Sequence, residues 1–160
     1  MDAESVRKTV TFSIHGMEPP SHNPFYARMH WAKRAQLAKG WHEIVQIAMR
    51  ENGIKKMLLT DCRITITAKM SSDLIDSDNL SAKLMIDGMK RYQTSRKKAA
   101  KFSKTGLKSK ILNKIKMKGL ENERYLFQDD CWPFVVSTTT IVEPASCDEI
   151  KIMVDGLPDR

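Results

Sequence analysis

The sequence predicts an α/β domain of the α+β kind, a single mixed sheet with helices packed on it. Three observations carry this: two segments alternate apolar and polar residues, one long segment repeats apolar residues at helical spacing, and two strand-like runs close the chain. Val10, Phe12 and Ile14 alternate with Thr9, Thr11 and Ser13, the pattern of a half-buried strand. The stretch "GMEPPSHNPFY" then breaks the pattern with Pro, Ser and Asn and reads as a loop. From about Ala32 to Asn52, Leu37, Ala38, Trp41, Ile44, Val45, Ala48 and Met49 recur every three or four residues, and Asn52-Gly53 supplies a helix stop. Cys62, Ile64, Ile66, Ala68 and Met70 alternate with Arg63, Thr65, Thr67 and Lys69 as a second strand. Leu80, Leu84 and Met85 mark a second helix that weakens near Gly88, and Leu107, Ile111 and Ile115 mark a short cationic helix. Strands over Phe134 to Val142 and Glu149 to Val154 follow, and "GLPDR" reads as a loose tail.

A chain of 160 residues, 41% apolar and 29% charged, can bury a core of its own, so we expect one domain over 1–160. Cys62, Cys131 and Cys147 are an odd count without CxxC spacing, which argues against a disulfide framework or a zinc site and for a reducing compartment. No apolar run reaches the length of a signal peptide core or a membrane span, so a cytoplasmic protein with no membrane partner is expected. The net charge of +8 is unevenly placed. Gly88 to Leu120 holds 12 of the 27 Lys and Arg residues and no acid, which leaves 15 basic against 19 acidic residues elsewhere. Such asymmetry favours a polyanionic partner, above all nucleic acid.

Two acidic clusters flank this segment. "DSDNLSAKLMID" runs from Asp76 to Asp87, and "QDD" ends at Asp130, before the third strand. In an extended segment side chains two apart face the same way, so Asp76 and Asp78 can converge on one cation. A third carboxylate from Asp129 or Asp130 would complete three hard oxygen ligands, which suits Mg²⁺ or Mn²⁺. The competing use of these acids is capping of the helix that follows. A calcium loop is disfavoured, because Leu80 and Ser81 stand where it needs an oxygen ligand and Gly. If the second and third strands are antiparallel neighbours, both clusters sit at the same edge of the sheet.

"DSDNLSAKLMIDGM", the later "DD" before a strand, and the earlier strand leading into "GMEPPSHN" together resemble the RusA-type Holliday junction resolvases. The resemblance implies a RusA-like nuclease domain in which Asp76, Asp78 and Asp130 bind catalytic Mg²⁺, with Mn²⁺ able to substitute. It implies that Asn79 supports the cluster and that Lys83 meets the scissile phosphate, with Asp129 and Asp87 as supporting neighbours. Lys83 comes one residue later than the family's lysine while keeping its spacing to Asp87, which we read as one extra residue at the helix start. The connection from Asp87 to Asp129 is longer than the family's and contains the basic run, a basic insertion over about 91–122. Paired symmetric nicking of a four-way junction implies a homodimer with two-fold symmetry, and the family's association with phage genomes implies a viral origin.

The expected function is therefore a Mg²⁺-dependent endodeoxyribonuclease that resolves branched DNA, without a small-molecule cofactor. Its expected DNA contacts are Asn23 in the Pro-rich loop and Arg91, Arg96, Lys97, Lys98, Lys101, Lys104, Lys108, Lys110, Lys114, Lys116 and Lys118 in the insertion. The alternative is a non-catalytic DNA- or RNA-binding protein that uses only the basic segment 88–120. His15, His22, His30 and His42 show no metal spacing and read as ordinary residues, His22 excepted for its place in the loop. Trp31, Trp41, Trp132, Phe127 and Tyr125 read as core or interface groups rather than base-stacking platforms.

Overall fold

The computed structural model of the chain describes residues 6–22, 29–71, 76–91 and 124–159. Four strands, β1 (Lys8–His15), β2 (Leu59–Met70), β3 (Val135–Pro144) and β4 (Glu149–Pro158), form one sheet in the order β1-β4-β2-β3. The helices are α1 (Trp31–Glu51) and α2 (Ala82–Met89), with a 3-10 turn over Ser77–Asn79 between β2 and α2. This is the expected mixed sheet with helices packed against it. The expected cationic helix through Leu107, Ile111 and Ile115 lies outside the described residues.

The period-two pattern sorts the strand residues by face. Phe12 and Ile14 on β1, Ile64, Ile66 and Ala68 on β2, and Ile150, Ile152 and Val154 on β4 all point into one core. They meet Trp41, Val45, Ala48 and Met49 from α1 and Leu84, Met85 and Met89 from α2. Ile66, Ile150 and Ile152 are fully buried, each contributing about 1.5–3 kcal/mol relative to exposure. The alternate residues, Thr65 and Thr67 on β2 and Lys151 and Met153 on β4 among them, face outward and stay partly or fully exposed.

α1 and α2 approach closely because of Gly88. A Cβ there would lie 2.9 Å from the Val45 Cβ, so any side chain would push the two helices apart. Gln46 seals the same junction, its Nε2 donating to the Gly88 and Arg124 carbonyls at 2.8 Å each. At the start of β1, Arg7 ties that strand to β4 and β2 by pairing with Asp155 and Asp61. Asp61 sits at an irregularity in β2 with φ of 50°, a left-handed conformation that this tie holds in place.

Three expectations are corrected. β2 and β3 pair in parallel, not antiparallel, so the chain leaving β2 and the chain entering β3 lie at opposite ends of the sheet. Parallel strands need a crossover, and α2 supplies it by running back toward the start of β2. Leu126 donates to the Met89 carbonyl, and Leu59 donates in turn to the Leu126 carbonyl at 2.8 Å. The second correction concerns "GLPDR": Gly156 to Pro158 belong to β4, pairing with Lys8, Thr60 and Leu59, and Asp159 donates to the Leu58 carbonyl. Gly156 permits this, since a Cβ there would lie 2.8 Å from the Cys62 sulfur. Third, the core-or-interface expectation for the aromatics divides: Trp41 and Phe127 are buried in the core, whereas Trp31 and Trp132 are 69% and 79% exposed, which leaves them only the interface alternative. Among the described residues no helix is long and apolar enough to cross a membrane.

Candidate functional site

The acidic turn is built between β2 and α2. Asn79 donates its backbone N–H to the Asp76 carbonyl at 3.0 Å, closing the 3-10 turn, and the Asp76 carboxylate makes no capping hydrogen bond. Ser81 holds the N-cap position of α2 and its side chain does not cap it either. Neither the Asp76 carboxylate nor the Ser81 hydroxyl therefore serves as a side-chain cap. Both Asp76 and Asp78 are exposed, and Asn79 is half-buried. The Pro-rich loop packs beside them: Ser21 bridges Leu80 and the Pro20 carbonyl accepts from Ser81 N–H at 2.7 Å. Pro20 and Ser21 thus lie beside the acidic turn, while Asn23 lies outside the described residues.

The second acidic pair enters a charged array on the outer face of α2. Lys83, in the first turn, donates to Asp87 at 3.0 Å and also to Asp130. Lys90, one residue past the helix, pairs with Asp87 at 3.1 Å, with Asp130 at 3.1 Å and with Asp129 at 3.6 Å. Asp129 also accepts the backbone N–H of Asp130 at 2.8 Å, which fixes the two carboxylates relative to each other. Two ammonium groups and three carboxylates thus share one node, and Asp87 and Asp130 are each only 19% exposed. Such a network is better ordered than a lone surface ion pair, whose net worth is about 0–1 kcal/mol.

The loop that carries Asp130 is anchored on both sides. Before it, Phe127 is fully buried, bridges Leu59 and Lys90, and accepts from Arg91 N–H at 2.8 Å. After it, the Pro133 and Phe134 carbonyls accept from the backbone of Asp61 and Cys62 at 2.9 and 2.8 Å. Arg91 extends over the Tyr125 ring, with its guanidinium carbon 5.5 Å from the ring centre. Of the expected DNA contacts in the insertion, Arg91 alone is described; Arg96 through Lys118 lie outside the described residues.

The structure therefore gathers Lys83, Asp87, Asp129 and Asp130, and adds Lys90, which the sequence offered only as one basic residue among twelve. Its spacing of three from Asp87 on a helix was the available signal. Asp76 and Asp78 stand outside this array, with no ion pair joining them to it among the described residues. His42 is the other residue the sequence did not single out. It lies on α1 in the groove that Asp87 and Lys90 also line, and its Nε2 is buried without a hydrogen-bond partner. Burial pushes the imidazole below its ordinary pKa; the Asp87 charge opposes this, and Lys90 and Lys83 reinforce it.

As metal donors, Asp76, Asp78 and Asp130 offer hard carboxylate oxygens of the kind Mg²⁺ takes. Among the described residues no three His, Cys, Asp or Glu side chains gather about one point as a ready-made metal site. Asp130 would have to release Lys83 and Lys90 in part to accept a cation. No protein-family model matches the chain, and no curated protein matches it.

Proposed function

We propose that the protein is a Mg²⁺-dependent endonuclease of branched DNA, acting as a homodimer on a four-way junction in the cytoplasm. The observation that carries this reading is the contact between Lys83 and Asp130, residues 47 apart in sequence. Lys83 follows Asp78 by five positions, so this one side chain links the two acidic motifs that the RusA resemblance assigns to a single site. The absence of side-chain caps from Asp76 and Ser81 adds support, since the Asp76 carboxylate is not committed to a cap.

In this reading Asp76, Asp78 and Asp130 hold the cation, and Asn79 buttresses the turn. A bound Mg²⁺ supplies an activated water and charge stabilisation at the leaving oxygen. Lys83 turns from Asp130 to the scissile phosphate and neutralises charge that grows in the transition state. Asp87 keeps Lys83 aimed along the outer face of α2, and Lys90 remains on Asp129 and Asp130. The basic insertion adds affinity by neutralising phosphates and releasing their counterions, largely without regard to sequence.

A second reading, a nucleic-acid-binding protein without catalysis, is favoured by one observation: Asp130 is already neutralised by two lysines, and Asp76 and Asp78 stand apart from it. Incubation of a synthetic four-way junction with Mg²⁺, Mn²⁺ or EDTA separates the two. Paired, metal-dependent nicks that disappear in Asp78→Asn support the nuclease. Binding without nicks supports the second reading, and nicks that persist in EDTA or in Asp78→Asn contradict the mechanism.

A further inference from the structure

α1 has 21 residues and α2 only 8, about 31 Å against 12 Å, so α2 leaves much of the outer side of α1 uncovered. What remains is an open groove of about 960 Å³ between them. Lys39, His42, Glu43 and Arg50 line it from α1, and Asp87 and Lys90 from the α2 side. The groove is thus continuous with the charged array, because Asp87 and Lys90 belong to both. Any extended ligand that meets Lys83 and Asp130 has this groove as an adjoining path.

Two features give the groove a chemical preference. Its cations are spread along its length, with Lys39 and Arg50 about 16 Å apart on the α1 axis, a span of several phosphate intervals in DNA. The Lys39 pair with Glu43 is 3.9 Å long and 79% and 66% exposed, so it gives way easily to another anion. An apolar peptide would leave these cations uncompensated.

We infer that the groove between α1 and α2 holds the DNA strand that flanks the scissile phosphate, with Lys39 and Arg50 on two backbone phosphates of that strand several intervals apart. This rests on the nuclease reading and extends it to the path of the substrate. It also gives the described core a DNA-binding role of its own, separate from that of the basic insertion.

The test is the salt dependence of junction binding, measured in EDTA so that no cleavage occurs. The wild-type protein is compared with Lys39→Gln/Arg50→Gln and with Lys8→Gln/Lys151→Gln, which removes the same charge from exposed strand positions. Each lost phosphate contact lowers the slope of log Kd against log salt by about 0.9. The groove variant is expected to lose about two units of slope and the strand variant none. An unchanged slope in the groove variant, or an equal loss in both, overturns the assignment. If the wild-type protein nicks junctions with Mg²⁺ while the groove variant keeps its slope, the groove alone is wrong. If the wild-type neither binds nor nicks, the nuclease reading falls and takes the groove with it.

Discussion

Asp130 and Asp78 both belong to short acidic motifs, yet the fold surrounds them differently. Asp130 is 19% exposed, accepts from two ammonium groups and sits on a loop anchored by buried Phe127. Asp78 is exposed in a 3-10 turn, outside any ion pair to that array among the described residues. The contrast separates two tasks. In the proposed nuclease, Asp76 and Asp78 would offer a cation carboxylates outside the ion-pair array, whereas Asp130 would have to give up part of its pairing with Lys83 and Lys90 to do so. On that proposal, Lys83 released from Asp130 would be available to a phosphate.

The sharpest way to break this contrast is to neutralise each carboxylate separately. Asp78→Asn and Asp130→Asn should each reduce junction nicking by about 10³-fold or more, since each removes several kcal/mol of metal-borne charge stabilisation. Their stabilities should diverge. Asp78→Asn should leave the melting temperature unchanged, whereas Asp130→Asn leaves Lys83 with Asp87 alone and Lys90 with Asp87 and Asp129, and should cost about 1 kcal/mol by denaturant titration. Equal stabilities would mean that the array contributes nothing to the fold.

The two lysines provide the next comparison. Lys83→Met should lower the single-turnover rate by roughly 10²–10³-fold, the usual cost of removing one transition-state donor. Lys90→Met should cost less than about tenfold, because its partners are the supporting Asp129 and Asp87 as well as Asp130. Equal losses would remove the special role of Lys83.

The smallest effect concerns His42. Because its folded-state pKa lies below the ordinary value, the unfolded chain binds a proton at higher pH than the native protein does. Its contribution to stability is therefore full above the ordinary value of about 6.5 and is lost as pH falls toward the lower folded one. Thermal unfolding across this range should show stability declining on acidification, and His42→Gln should make the decline shallower. A parallel decline in both proteins would show that His42 carries no such linkage.

What could be read in advance follows from which patterns are local. The alternation in Cys62 to Met70 and the helical spacing from Leu37 to Met49 record which faces are buried, and the structure buries those faces. Alternation carries no strand direction, so the parallel pairing of β2 with β3 could not be read from it. "GLPDR" looked like a tail because Gly and Pro are poor strand formers, and only the packing of Gly156 against Cys62 makes the glycine necessary. At the site, Lys83, Asp87 and Asp130 were legible as a motif. His42 was not, because its burial depends on how closely α1 and α2 cross at Gly88 and Val45.

The most direct measurement is a crystal structure with Mn²⁺ soaked in, located by its anomalous scattering. The expected result is Mn²⁺ ligated by Asp76, Asp78 and Asp130, with the Lys83 ammonium displaced from Asp130. Mn²⁺ bound elsewhere, or Lys83 still seated on Asp130 with the cation bound, would contradict the assignment of these residues to one catalytic centre.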